Sequence, residues 1–168
     1  MNKKSYDELK LLYGLDYVNA FEKMQSPARL ERLYDYFELE AGYVVADFAC
    51  GNGMLMSYLS SRVKHYFGID FSEHFVKQAN DSKDRLMISN ATFVCSDIVD
   101  FCINNPGKFD VGFALDFSEH VYDDEWLEIL RAIKSLLKIG GKLYLHTPNA
   151  DYFIEIMKKY NFLIHSSI

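Results

Sequence analysis

The most constraining feature of this chain is an alternation. From Tyr43 onward, short apolar runs take turns with segments of helical spacing, and four of the runs carry an aspartate at or near their end. The runs cover 43–49, containing Asp47; 65–69, followed by Asp70; 92–96, followed by Asp97; and 110–115, followed by Asp116. A fifth run covers 142–147 and is stopped by Pro148. Between them, Leu55, Tyr58 and Leu59, then Phe75, Val76 and Ala79, then Trp126, Ile129, Leu130, Ile133 and Leu137 recur at the spacing of one helix face. The last of these helices is predicted to stop at Gly140-Gly141, as a helix C-terminus should. The stretch 103–109 reads as a plain turn. Phe153, Ile154 and Met157 mark a final helix, and a short strand starts at Phe162. Near-continuous apolar strands separated by amphipathic helices predict a doubly wound α/β sheet, mostly parallel, with helices on both faces.

Residues 1–42 read differently. Tyr6, Tyr13, Tyr17 and Phe21 have loosely helical spacing, and Ser26-Pro27 starts a helix whose Leu30, Leu33, Tyr34 and Phe37 share a face. The expected organisation is thus an N-terminal helical segment over 1–42 and a core over 43–168. The bland reading of the segment is packing against the sheet; the functional one is a lid on the acceptor side of the site. A length of 168 residues suits one domain.

Composition removes several function classes. Lys and Arg number 18 against 24 Asp and Glu, for a net charge of −6, so the global basic footprint of a nucleic-acid binder is missing. Cys50, Cys95 and Cys102 form no CxxC pair, which favours a reduced, cytoplasmic setting over a disulfide scaffold. No stretch reaches the roughly 20 apolar residues of a membrane span.

In open α/β sheets ligands bind beyond the carboxyl ends of the strands, where the ordered aspartates are expected. The first turn reads Asp47-Phe48-Ala49-Cys50-Gly51-Asn52-Gly53. Gly51 and Gly53 can adopt positive φ and let a ligand approach the backbone. Met56 occupies the place of the third glycine of a dinucleotide fingerprint, and Asp47 beside the loop would repel a pyrophosphate. A ligand with ammonium and sulfonium charges, S-adenosylmethionine (SAM), fits an acidic loop better. Asp70, with Phe71 beside it, is placed to accept from ribose hydroxyls, and Asp97 to accept from an adenine amino group while Ile98 packs on the ring.

Taken in order, VVADFACGNG, YFGID, FVCSDI and LLKIGGKLYLHTPN resemble the successive motifs of class I SAM-dependent methyltransferases over about residues 26 to 165. Within that class the chain is similar to ubiquinone-biosynthesis O-methyltransferases and, less closely, to small-RNA 2′-O-methyltransferases, sharing Pro27-Ala28-Arg29 and the segment from Asp116 to Val121. The resemblance implies a Rossmann-like fold whose C-terminal antiparallel edge is short or incomplete here, which makes a second copy of the chain a candidate to complete the sheet. It implies Asp47, Ala49, Gly51, Gly53, Asp70, Phe71, Asp97, Ile98 and Asp116 around SAM, and methyl transfer to a small-molecule acceptor, most readily at oxygen. In both relatives an acid-x-x-Glu-His element after the fourth strand is associated with a divalent cation.

Here that element is Asp116, Glu119 and His120, spaced i, i+3, i+4 so that one helical turn brings them together. Two carboxylates and an imidazole suit Mg²⁺ or Mn²⁺. Aspartate in place of the usual glutamate shortens the first ligand's reach; without a metal, His120 is the candidate base. His146, at the top of the fifth run, is a weaker one. Two rival readings stay open: a methyltransferase-like domain that is catalytically idle and serves as a scaffold or complex subunit, and a nucleotide-dependent oxidoreductase.

Overall fold

The computed structural model describes residues 14–24, 27–118 and 121–147. Five strands form a single sheet, β1 (Val44–Phe48), β2 (His65–Asp70), β3 (Ala91–Cys95), β4 (Phe109–Leu115) and β5 (Leu137–His146), in the order β3-β2-β1-β4-β5. Every described pairing is parallel. The helices are α1 (Leu15–Met24), α2 (Pro27–Tyr34), α3 (Met54–Leu59), α4 (Glu73–Arg85), α5 (Ile98–Ile103) and α6 (Asp123–Leu136). The strand order reverses at β1, which places a crevice between the carboxyl ends of β1 and β4.

The alternation of side chains along each strand divides the interior into two cores. Val45 and Tyr66 face one side with Leu55, Met56 and Leu59 of α3, Phe37 and Phe93. Ala46, Phe48 and Ile69 face the other with Phe101 and Cys102 of α5 and Ala132, Ile133 and Leu136 of α6. Both faces of β1 are therefore dry, which is why its sequence is an apolar run broken only by Asp47.

The structure departs from or adds to the expected elements at three points. The residues after Asp97 form α5: Asp97 Oδ1 accepts from Val99 N at 2.7 Å and Asp100 N at 3.3 Å, and the apolar run Ile98–Ile103 winds up behind that cap. Replacing Asp97 with alanine is expected to cost about 0.5–2 kcal/mol, the usual worth of an N-cap, read as a lower midpoint in urea; an unchanged midpoint would refute the capping role. Second, α6 stops at Leu136 rather than at the glycines, and the chain enters β5 at once. Phe109 pairs with Leu137 and Val111 with Lys142, so 138–141 bulge out, with Gly140 at φ 79°. Lys138 Nζ reaches Asp110 Oδ1 at 2.7 Å, and Asp110 Oδ2 accepts from Val44 N at 2.8 Å, tying the bulge to the start of β1. Third, the described sheet has no antiparallel edge. The strand expected from Phe162 and the helix around Phe153 lie outside the described residues, as do Tyr6, Tyr13 and Ser26.

Within the described part of the N-terminal segment, α1 packs against α4. Val18 is fully buried, and Tyr17 stands edge-on to Phe75 with ring centroids 6.2 Å apart. Burial raises the Tyr17 phenol, and the charge of Asp70 raises it further. Glu38 N donates to Tyr144 Oη at 2.7 Å and Glu38 pairs with Lys142, fastening the chain after α2 to β5.

Candidate functional site

The turn after β1 is wound from left-handed residues. Ala49, Gly51 and Gly53 have φ of 53°, 55° and 77°. Ala49 pays the steric cost that glycine escapes, which marks the turn as a shape the fold imposes. Cys50 N donates to Ile69 O at 3.1 Å, and Gly53 N to Cys50 O at 3.0 Å, so the turn lies against the end of β2.

Asp70 holds that turn in place. Its Oδ2 accepts from Gly51 N at 3.0 Å and its Oδ1 from Ser72 N at 2.9 Å. One carboxylate thus joins the loops after β1 and β2, with the Phe71 amide directed at it as well. The residue is only 4% exposed, and burial pushes its carboxyl up to about 6 against the pull of the amides it accepts from. Asp47 lies one residue short of the end of β1, is also 4% exposed, and accepts from the hydroxyl of Tyr66. Burial lifts it to about 7, Tyr66 opposes the rise, and the charge of Asp70 adds to it. Burial raises the neighbouring Cys50 thiol too, helped by Asp47 and Asp70.

These carboxyls make stability depend on pH in a definite direction. Their folded values exceed the ordinary 3.8, so above about pH 4 the folded chain binds more protons than the unfolded one. Their contribution is most favourable below that window and is lost as pH rises through about 6 and 7. Asp47→Asn is expected to stabilise the unliganded domain relative to wild type, by a margin that grows between about pH 4 and about pH 8. Urea unfolding of both proteins across that range checks it, and a margin independent of pH would contradict it.

Phe93 of β3 closes the floor under the turn. A Cβ at Gly53 would meet Phe93 Cζ at 2.7 Å, and one at Gly68 would meet Phe93 Cδ1 at 2.4 Å and Cys50 Sγ at 2.9 Å. The ring is wedged between two glycines of successive elements, edge-on to Tyr66 at 5.9 Å. Sequence reasoning missed Gly68, Phe93 and Tyr66 as supports of the site. A glycine inside the run HYFGID is the signal that could have found them, because strand glycine marks a close approach.

The remaining expected residues fall as follows. Phe71 is half-buried and lines, with Ser72, Glu73 and His74, a shallow cavity of about 130 Å³ beside Asp70. Asp97 is exposed at the head of α5, with Ile98 half-buried behind it. Asp116 follows β4 across the crevice, in the left-handed region at φ 59°. Its Oδ1 lies 2.5 Å from Nδ1 of His146, and its amide donates to His146 O at 2.8 Å. Glu119 and His120 lie outside the described residues. Among the described residues no three carboxylate, imidazole or thiol groups converge to hold an ion. The expected set of Asp116, Glu119 and His120 lies in part outside those residues.

The arrangement defines an open α/β domain whose switch-point crevice is walled by buried carboxylates, a poor grip for phosphate and a good one for a cationic ligand bearing hydroxyls. The sequence profile described as "Methyltransferase domain" matches residues 45–141, and the chain belongs to that family. Curated relatives include the ubiquinone biosynthesis O-methyltransferase of Xanthomonas euvesicatoria pv. vesicatoria, 34% identical over 124 residues, covering 74% of this chain and 50% of the relative. The enzyme of the same name from Chromobacterium violaceum is 29% identical over 128 residues, with 75% and 53% covered. The chain thus spans about half the length of the curated relatives it matches. Among solved structures, the DhpI–SAM–HEP complex has a TM-score of 0.71 at 18% identity, covering 96% of this chain and 73% of that one. A SAM-dependent methyltransferase from Archaeoglobus fulgidus has a TM-score of 0.64 at 22% identity, covering 80% and 57%. These likenesses establish the fold as that of SAM-dependent methyltransferases. No helix among the described residues is long and apolar enough to cross a membrane.

Proposed function

We propose that the domain transfers the methyl group of SAM to an oxygen atom of a small-molecule acceptor. The observation that carries this reading is the buried pair Asp47 and Asp70 around a left-handed turn, at the switch point of a methyltransferase-family sheet. Bound SAM supplies a methyl carbon already activated by a sulfonium, so most of the protein's task is positioning, worth roughly 7–11 kcal/mol in favourable cases.

The chain's residues divide that task. Asp70 accepts from the ribose hydroxyls with the lone pairs that Gly51, Ser72 and Phe71 leave over. The backbone of Ala49, Gly51 and Gly53 forms the wall along the amino-acid end, and Asp47 beneath it supplies negative potential. Asp97 and Ile98, with Phe71, flank the adenine. Asp116 faces the transferred methyl from across the crevice, with Glu119 and His120 following it in the chain. Tyr17, sensing the charge of Asp70, supports the N-terminal segment as a lid on this end of the sheet. Leu145 on β5, the outer strand of the described sheet, is half exposed, which supports a second copy of the chain pairing there. Three cysteines in the reduced form, two of them buried, support a reducing, cytoplasmic setting.

The test is incubation of the purified protein with methyl-labelled SAM and hydroxyl, amine and carboxylate acceptors, followed by mass spectrometry. Label on an acceptor oxygen is the expected result. Tight SAM binding without turnover on any acceptor would mark an idle scaffold instead.

A further inference from the structure

Across the crevice from Asp70, the carboxyl ends of β4 and β5 bring a carboxylate and an imidazole into direct contact. Leu115 pairs with His146 in the ladder, and Asp116, one residue on, turns into the left-handed region. That turn folds its side chain back toward β5, so that its Oδ1 meets His146 Nδ1 at 2.5 Å. The amide of Asp116 donates to the carbonyl of His146 at 2.8 Å, so backbone and side chain lock the same two residues. The Asp116 side chain is 12% exposed and that of His146 33%. A non-glycine residue held at positive φ to make a contact is the kind of strain that collects at working sites.

The geometry points to His146 as the general base that takes the acceptor's proton, with Asp116 as the positioning residue that fixes its tautomer. The inference rests on the methyl-transfer reading and adds a role that the sequence motif does not give to His146. With Nδ1–H donated to the carboxylate, the lone pair of Nε2 is directed away from Asp116. As the acceptor oxygen forms its bond to the methyl carbon, the C–S bond breaks with its electron pair leaving on sulfur. The hydroxyl proton passes to Nε2 and then to solvent.

Two readouts test this on the intact protein. The first is ¹⁵N NMR of the imidazoles with S-adenosylhomocysteine bound: His146 is expected as the Nδ1–H tautomer, and Asp116→Asn, whose amide can donate where the carboxylate accepts, is expected to shift it toward Nε2–H. An Nε2–H tautomer in the wild type overturns the proposal without any turnover being measured. The second uses catechol as probe acceptor. His146→Asn and His146→Gln are each expected to lower kcat about 10²–10⁴-fold, the usual share of a general base, while SAM affinity by calorimetry stays within about twofold. Turnover at the wild-type rate in both variants overturns the base role; if catechol is no acceptor, the tautomer decides alone. Absence of SAM binding with the Nδ1–H tautomer intact would instead overturn the methyl-transfer reading, and the base role with it.

Discussion

Asp70→Ala is expected to weaken SAM binding at least about 100-fold. Hydrogen bonds to a charged acceptor contribute about 1.5–3 kcal/mol each, and two ribose hydroxyls accepted by one carboxylate put the loss above two factors of about 1.4 kcal/mol, each a tenfold change. The same substitution leaves Gly51 N and Ser72 N without their acceptor in a buried site, so the turn loosens as the ligand contact goes. Asp70→Asn separates the two effects, because its amide oxygen can still accept from one backbone N–H. It is expected to restore part of the stability and little of the affinity. Calorimetric titration of the three proteins decides the matter, and an affinity unchanged in Asp70→Ala would remove Asp70 from the site.

Gly68→Ala is the second large effect. The added Cβ would stand 2.4 Å from Phe93 Cδ1 and 2.5 Å from Cε1. The ring has little room to yield, because Gly53 lies against it on one side and Tyr66 on another. Overpacking a well-filled core costs about 1–3 kcal/mol, and the upper end is expected here. The damage should spread to function, since Phe93 supports the turn that carries Gly53. A second change, Phe93→Leu, is expected to recover part of the loss in the Gly68→Ala background by shortening the obstructing side chain. Urea midpoints of the single and double variants test this as a cycle; an unshifted midpoint for Gly68→Ala would refute the wedge.

Much of this was readable from residue order, and the reason is physical. Strands buried on both faces must be apolar along their whole length, so the runs at 44–48, 65–70, 91–95 and 109–115 stand out against the helices. Polar residues ending such runs lie at the carboxyl edge of a parallel sheet, and Asp70 ends β2 while Asp116 follows β4. The gaps have physical causes as well. A six-residue helix such as α5 has too few turns to display a period, so the apolar spacing does not announce it. The bulge at 138–141 moved the helix stop back to Leu136, because the hydrophobic period says where a face is buried but not where the chain leaves the helix. The hydrogen bonds of Asp47 to Tyr66 and of Asp116 to His146 join residues 19 and 30 positions apart, and only strand register brings such pairs together.

The acid-walled crevice is expected to hold a cationic sulfonium ligand and not a pyrophosphate. The most direct measurement is calorimetric titration of SAM and, separately, NADH into the intact chain near neutral pH. Saturable binding of SAM with one site per chain, and no heat from NADH, is the expected result; binding of NADH without SAM would contradict the account at its root.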